Sequence, residues 1–271
     1  MAELEVPKKI QKYPTYRSLN QYILGQTRDP EAARDEFCKP VETEIQDGGK
    51  AKDVEKSLGQ QWQTLIAMAS TIQYGDPVHS QLVTFLQNIQ DRPDVEQDGK
   101  PFQVQEMTVW KDLPLFGWEV REAWNGAATD ESEKEDKARW VNTNAFVATL
   151  LAAVHESEKD TPDVSLFAIW SIRTALEDQE EPESTALAAA AVWLVYAAGA
   201  LRGLSAEGKS FDGKSAKPGA LFKDESWNGF CKERWNAWGQ RLAKLKEKVG
   251  DQKIKQLVES AGHAMQDSKD D

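Results

Sequence analysis

The sequence predicts an all-α fold, a single globular bundle of about nine helices around an alanine-rich central one, on three observations. Apolar residues recur at three- and four-residue spacing along nearly every long segment, which gathers them on one helical face. Most of those stripes carry at least one of the chain's 10 tryptophans, and each buried indole removes about 150–250 Å² from water. The third observation is Ala186 to Leu201, sixteen residues without a charge, half of them small. It falls short of the roughly 20 apolar residues a membrane span needs, and it suits a buried helix that its neighbours approach closely.

Residues 1–26 read as an N-terminal extension, 27–265 as the helical domain and 266–271 as an acidic tail. Thr27 or Asp29 with Pro30 opens the first helix, which Pro40 bends or ends because it lacks an amide proton. Asp47-Gly48-Gly49 breaks the chain. Val54, Leu58, Trp62, Leu65, Ile66, Ala69 and Ile72 then share the face of a second helix ending near Gly75. Asp76-Pro77 starts a third, striped by Val78, Leu82, Phe85, Leu86 and Ile89, and antiparallel to the second. Asp91 to Pro101 is polar and reads as a surface loop. Val104 to Val109 alternates like a short strand, with no neighbouring segment to pair with.

Pro114 and Gly117 punctuate the next stretch, and Trp118, Arg121, Glu122, Trp124 and Asn125 read as a short helix. Ser132-x-x-Glu135 has the spacing of a capping box before a stripe of Trp140, Asn144, Val147, Leu151 and Val154. Thr161-Pro162 starts a helix that gathers Leu166, Ile169, Trp170, Arg173 and Leu176. An acidic connector comes next, Glu177 to Glu183, and then the central helix from about Ser184 to Arg202, with Gly203 as its stop. Ser205 to Lys223 is rich in Gly, Ser, Lys and Pro and reads as a mobile connection or a lid. Trp227, Phe230, Cys231, Arg234, Trp235, Trp238, Leu242, Leu245 and Val249 fit one face of a helix about 23 residues long. Ile254, Leu257, Val258, Ala261 and Met265 stripe the last helix. No repeat of 20–50 residues is present, so a solenoid is not expected.

Acidic residues outnumber basic ones by 45 to 33, a net charge of −12, which repels a phosphate backbone and makes nucleic acid an unsuitable partner. Cys38 and Cys231 lie far apart, which points to a reducing compartment, cytoplasm or nucleus. Met1 to Lys12 mixes charges without an apolar core region, unlike a signal peptide, and no membrane association is expected.

Motifs of chemistry are sparse. Gly208 with Gly213-Lys214-Ser215 matches the letters of a phosphate-binding loop, but a helix precedes it and Lys217-Pro218-Gly219 interrupts the residues after it, the reverse of the strand-loop-helix such a loop needs. His79, His155 and His263 are scattered and lack zinc-ligand spacing, so no metal and no cofactor is implied. The chemistry left to the chain lies in polar residues on apolar stripes. Asn144 and Arg173 each require a partner if buried, an inter-helix bridge for Asn144 and a Glu or Asp for Arg173. The functional alternative is a pocket in which Trp118, Arg121, Trp140, Asn142, Asn144 and Arg173 bind an organic ligand.

Gln61-Trp62-x-x-Leu65-Ile66 with Asp76-Pro77, then Trp118 through Trp124-Asn125, and finally Trp140-Val141-Asn142-x-Asn144-Ala145-Phe146 resemble a fungal family known as domain of unknown function 3632. The resemblance covers roughly residues 55–245. It implies an intracellular, mainly helical protein of a filamentous fungus, with some relatives encoded near secondary-metabolite genes, and it carries no catalytic residues to transfer. The sequence is compatible with two functions. The first is a non-catalytic interaction or regulatory protein; the second is a binding protein or cofactor-independent enzyme for an apolar small metabolite in a Trp-lined pocket.

Overall fold

The computed structural model describes residues 4–26, 29–157 and 160–267. Thr27, one of the two caps considered for the first helix, and the tail beyond Asp267 lie outside them. Among the described residues there are eleven α-helices rather than nine. One of the two additions is a helix in the stretch expected to be an extension; the other arises because the central helix is broken. The chain divides into two compact units, 1–126 and 127–271.

The first unit begins with a 3-10 turn at Ile10–Lys12 and α1, Pro14–Ile23, followed by α2, Pro30–Gln46, α3, Ala51–Thr71, and α4, Val78–Gln90. Asp29 caps α2, accepting from the Glu31 and Ala32 amides at 3.0 and 3.2 Å. Pro40 does not end α2, which continues to Gln46. The proline leaves the Glu36 carbonyl without its helical donor, and on the next residue the wholly buried Gln61 donates its side-chain amide to the Phe37 carbonyl. The apolar stripe of α3 is buried from Val54 to Ala69 as its spacing requires.

The expected loop and lone strand are instead two successive tight hairpins. β1, Glu96–Gln97, pairs with β2, Lys100–Pro101, across Asp98 and Gly99, both at positive φ (53° and 73°). β3, Gln103–Val104, pairs with β4, Met107–Thr108, across Gln105 and Glu106 at 52° and 66°. Two consecutive positive φ values make the turn whose twist matches a hairpin, so the alternating run finds its partner in its own continuation. α5, Phe116–Trp124, closes the unit.

The second unit contains α6, Lys134–Glu156, α7, Ser165–Leu176, α8, Ser184–Tyr196, α9, Ala198–Glu207, α10, Lys232–Lys246, and α11, Gln252–Asp267. α8 packs against α6, α7 and α11, the central position predicted for it. The apolar run does not stay one helix, however. It bends by 82° between α8 and α9 at Ala197. Uniform apolarity hides such a break, because every register of the run is equally buriable. After the bend Gly203 lies against α6, where a Cβ would come within 2.7 Å of the His155 Nε2. Among the described residues no single helix is long and apolar enough to cross a membrane.

Two helix starts in this unit, those of α7 and α8, are set by aspartates rather than by the residues singled out from spacing. Asp130 caps α8, its two oxygens accepting from the Ser184 amide at 2.9 Å, the Thr185 amide at 2.8 Å and the Thr185 hydroxyl at 2.7 Å. Burial pushes the Asp130 carboxyl up, but the bonds from Thr185 and Ser184 outweigh it and hold it below the usual range. Ser132 makes no capping box; its hydroxyl accepts from the Thr129 amide at 3.0 Å, and α6 starts beyond it. Asp163, not Thr161, marks the start of α7 by accepting from the Ser165 amide at 3.0 Å.

The long Trp-bearing helix is also shorter than its stripe. α10 has 15 residues and begins at Lys232 with Cys231 as its cap. Trp227 and Phe230 precede it in an extended segment, where Phe230 donates to the Lys209 carbonyl at 2.7 Å and Phe211 to the Asn228 carbonyl at 3.0 Å. Gly229, at φ 147°, allows that close pairing; its Cβ would lie 2.1 Å from the Lys209 carbonyl oxygen.

Candidate functional site

A concentration of buried polar groups in the second unit is built on Glu177 and Arg234, both fully buried. Glu177 is the first residue past α7, and Arg234 lies in the first turn of α10. Glu177 Oε1 accepts from Arg234 Nε at 2.7 Å and from the Trp238 indole at 2.6 Å. Its Oε2 accepts from the second guanidinium nitrogen at 2.9 Å and from the Gly219 amide at 2.9 Å. The rest of the guanidinium donates to the Ala216 and Gly229 carbonyls at 2.7 and 2.9 Å, and it lies over the Trp227 and Trp238 rings at 5.8 and 5.5 Å. A carboxylate that already takes four donors has no oxygen left for a substrate's proton.

This arrangement fastens the segment expected to be a lid. Arg173 donates to the Ser215 and Lys217 carbonyls at 2.9 and 3.1 Å, and the Trp170 indole to the Ser215 carbonyl at 2.9 Å. The Leu221 amide donates to the Glu177 carbonyl at 2.8 Å. Residues 215–217 therefore turn carbonyl oxygens toward cations, the opposite polarity to a loop that cradles phosphate with amide protons. A Cβ at Gly219 would fall 2.4 Å from Asp178 Oδ1 and 2.7 Å from Glu177 Cβ, so only glycine fits the closed segment. Arg241 continues the pattern, donating to the Leu176 carbonyl at 3.2 Å and to Glu180 Oε2 at 2.7 Å.

Each residue singled out from the sequence has a place. Asn144 is wholly buried and ties three helices: its amide donates to the Trp140 carbonyl at 2.9 Å, and its oxygen accepts from Ser171 at 2.6 Å and the Trp193 indole at 2.8 Å. Trp140 and Asn142 are buried on the same helix. Arg173 is half-buried and hydrogen-bonds to backbone carbonyls rather than to the Glu or Asp expected for it. In the first unit Trp118 is 59% exposed, and Arg121, three residues along α5, is exposed as well.

Sequence reasoning passed over Glu177 and Arg234. The available signal was Arg234 on an apolar stripe beside Trp235 and Trp238, which demands a carboxylate. Glu177 was concealed by the acidic run it opens. Burial pushes the Cys38 thiol far up and lowers His79, whose Nε2 is 3.0 Å from the Ala69 carbonyl. Among the described residues no three His, Cys, Asp or Glu side chains are grouped to hold a metal ion.

A groove of about 650 Å³ lies between α10 and α11. Buried Trp235, Leu242, Val258 and Met265 line it, together with Gly239, Gly262 and the pair Lys246 and Glu259, 3.5 Å apart.

These features define an all-α protein whose interior charges are bonded to the fold itself. The chain belongs to the family described as Protein of unknown function (DUF3632), which matches residues 62–242 and so spans Trp118, Asn144, Glu177 and Arg234. No curated protein and no solved structure matches it.

Proposed function

We propose that the protein acts by binding, as a non-catalytic interaction or regulatory protein of the cytoplasm or nucleus whose partner is another protein. The observation that carries this reading is Trp118, 59% exposed on α5 with Arg121 beside it on the same face. Tryptophan and arginine supply a disproportionate share of binding energy where protein surfaces meet. The interior supports the same reading, since the acids and bases that the second unit buries spend their hydrogen bonds on tethering backbone.

Trp118→Ala and Arg121→Ala should leave thermal stability nearly unchanged, within about 0.5 kcal/mol as for other surface substitutions. A photoreactive residue at position 118 should give a discrete protein adduct in cells, weakened by Arg121→Ala. Absence of any adduct, together with one organic molecule retained per chain in native mass spectrometry, would reject this reading. That outcome would favour the alternative, a binding protein or cofactor-independent enzyme for an apolar metabolite. The groove between α10 and α11 favours the alternative to this extent: its volume falls in the range of roughly 300–1,000 Å³ typical of small-molecule sites, and Trp235 lines it.

A further inference from the structure

Residues 6–26 carry Lys8, Lys9, Lys12 and Arg17 and not one acidic side chain, in a chain whose net charge is −12. All four cations are exposed. None makes an ion pair with a described residue, although the chain has carboxylates in excess. Like charges held on one short stretch repel one another, which an acidic partner relieves.

The same stretch connects the two large apolar side chains that are exposed among the described residues, Trp118 at 59% and Leu24 at 57%. Tyr13, Arg17, Gln21 and Leu24 follow at helical spacing and share one face of α1. At the start of that face the Tyr13 hydroxyl donates to Gln63 Oε1 at 3.2 Å. Gln63 also hydrogen-bonds Glu119, the neighbour of Trp118, and Lys9 lies within electrostatic reach of the same carboxylate. A strip therefore runs from Trp118 and Arg121 past Lys9, Lys12 and Arg17 to Leu24, about 15 Å of it along the ten residues of α1.

The carboxylates of the adjoining elements are engaged elsewhere. Glu119 faces α3, where a Cβ at Gly59 would fall 3.1 Å from its Oε1, and Glu122 accepts from Asn125 at 3.2 Å. On α2, which packs against α1, Asp29 caps the helix, Asp35 and Glu42 pair with Arg92, Glu36 pairs with Lys39, and Glu44 accepts from Ser57. Glu31 lies in the first turn of α2, and Glu5 precedes the basic stretch.

We propose that this strip is the docking surface for an acidic segment of a partner protein, a peptide that carries several Asp or Glu with an aromatic or aliphatic side chain and lies along α1 between Trp118 and Leu24. The inference rests on the reading of Trp118 as a protein contact and gives that partner its chemistry. Clustered cations select an acidic motif over a neutral one, and the indole supplies the apolar anchor.

Selection from a random dodecamer peptide library by the full chain, followed by fluorescence anisotropy of the enriched peptides, tests it. The enriched peptides should have a net negative charge and an aromatic or aliphatic residue, and their binding should weaken as salt is added. Trp118→Ala should weaken binding at least about 10-fold, and so should Lys9→Glu, Lys12→Glu and Arg17→Glu combined. These positions are exposed, so the melting temperature of both variants should match that of wild type. The same peptides with lysine in place of their acids should bind the triple variant and not wild type. A library without binders, enriched peptides of neutral or positive charge, or acidic peptides held equally by the triple variant would each overturn the proposal. Cosedimentation with phosphatidylcholine vesicles only when they contain phosphatidylserine, lost in the triple variant, would overturn it in favour of a membrane surface. A protein adduct at position 118 that persists in the triple variant would overturn this inference and leave the protein-contact reading intact, whereas absence of any adduct speaks against that reading itself.

Discussion

Glu177→Gln should destabilise the protein by about 3–5 kcal/mol, the usual consequence of removing one partner from a buried ion pair and leaving the other charge uncompensated. Arg234 is fully buried and directs its donors at Glu177 and at the Ala216 and Gly229 carbonyls. The amide of the variant can accept on one side only, and its own protons would face the guanidinium. Replacing both residues together, Glu177→Met with Arg234→Met, should cost much less than the two single changes added, because no uncompensated charge remains. It should not be neutral, since the Trp238 indole and the Gly219 amide also lose their acceptor. Urea denaturation of the four proteins in the cycle gives the coupling. Limited trypsin digestion adds a local reading: cleavage after Lys214 should be slow in wild type and fast in Glu177→Gln. Equal stabilities for wild type and Glu177→Gln would remove the pair from the account.

Trp62→Ala is the second large effect, about 3–5 kcal/mol by the rule for truncating a buried aromatic residue. Trp62 is fully buried in the first unit, edge-on to Phe116 at 5.7 Å and 6.5 Å from Phe37. Its indole also donates to the Pro114 carbonyl at 2.9 Å. That bond sits between Leu113 and Leu115, both at positive φ (49° and 67°), a conformation that leucine adopts only under constraint. Trp62→Phe separates the two contributions. It retains much of the packing but leaves the carbonyl unpaired, and should cost about 1–3 kcal/mol more than the lost apolar area alone. Chemical denaturation followed by far-ultraviolet circular dichroism measures both variants, and a Trp62→Phe protein as stable as wild type would mean that the Pro114 bond contributes nothing.

The parts of the fold legible in the sequence are those in which two signals agree. α3 and α4 combine a stripe at helical period with the Asp76-Pro77 start, and both lie where that combination puts them. A single signal fared less well. Trp227 and Phe230 stand at helical spacing from Trp235, yet Gly229 adopts a φ of 147° and the segment pairs with residues 209–211. Asp98-Gly99 is a hairpin signal that the surrounding polar residues concealed, because a two-residue strand has too few positions to show alternation. The bend at Ala197 left no trace in a run that is apolar at every position.

The candidate site was legible one partner at a time. Asn144 and Arg173 stood out as polar residues on apolar stripes, and both are bonded, to side chains and backbone of other elements. Their partners could not be read, because Ser171, Trp193 and Ser215 become neighbours only through the packing of α6, α7, α8 and the segment after α9. Glu177 was hardest to see. It follows directly on Leu176, the last residue of the α7 stripe, and six further residues of acidic, polar connector come after it, so its burial depends on α10 arriving with Arg234 from 57 residues away.

The central claim is that the buried charges of the second unit serve to hold the 208–230 segment shut. Amide hydrogen exchange at Gly219 and Leu221 tests it most directly. Their protons are bonded to Glu177 Oε2 at 2.9 Å and to the Glu177 carbonyl at 2.8 Å. Both amides should be protected to nearly the level of the interior of α7, and Glu177→Gln should release the Gly219 proton first. Exchange of both amides in wild type at the rate of an open peptide would contradict the account and return the segment to a mobile lid.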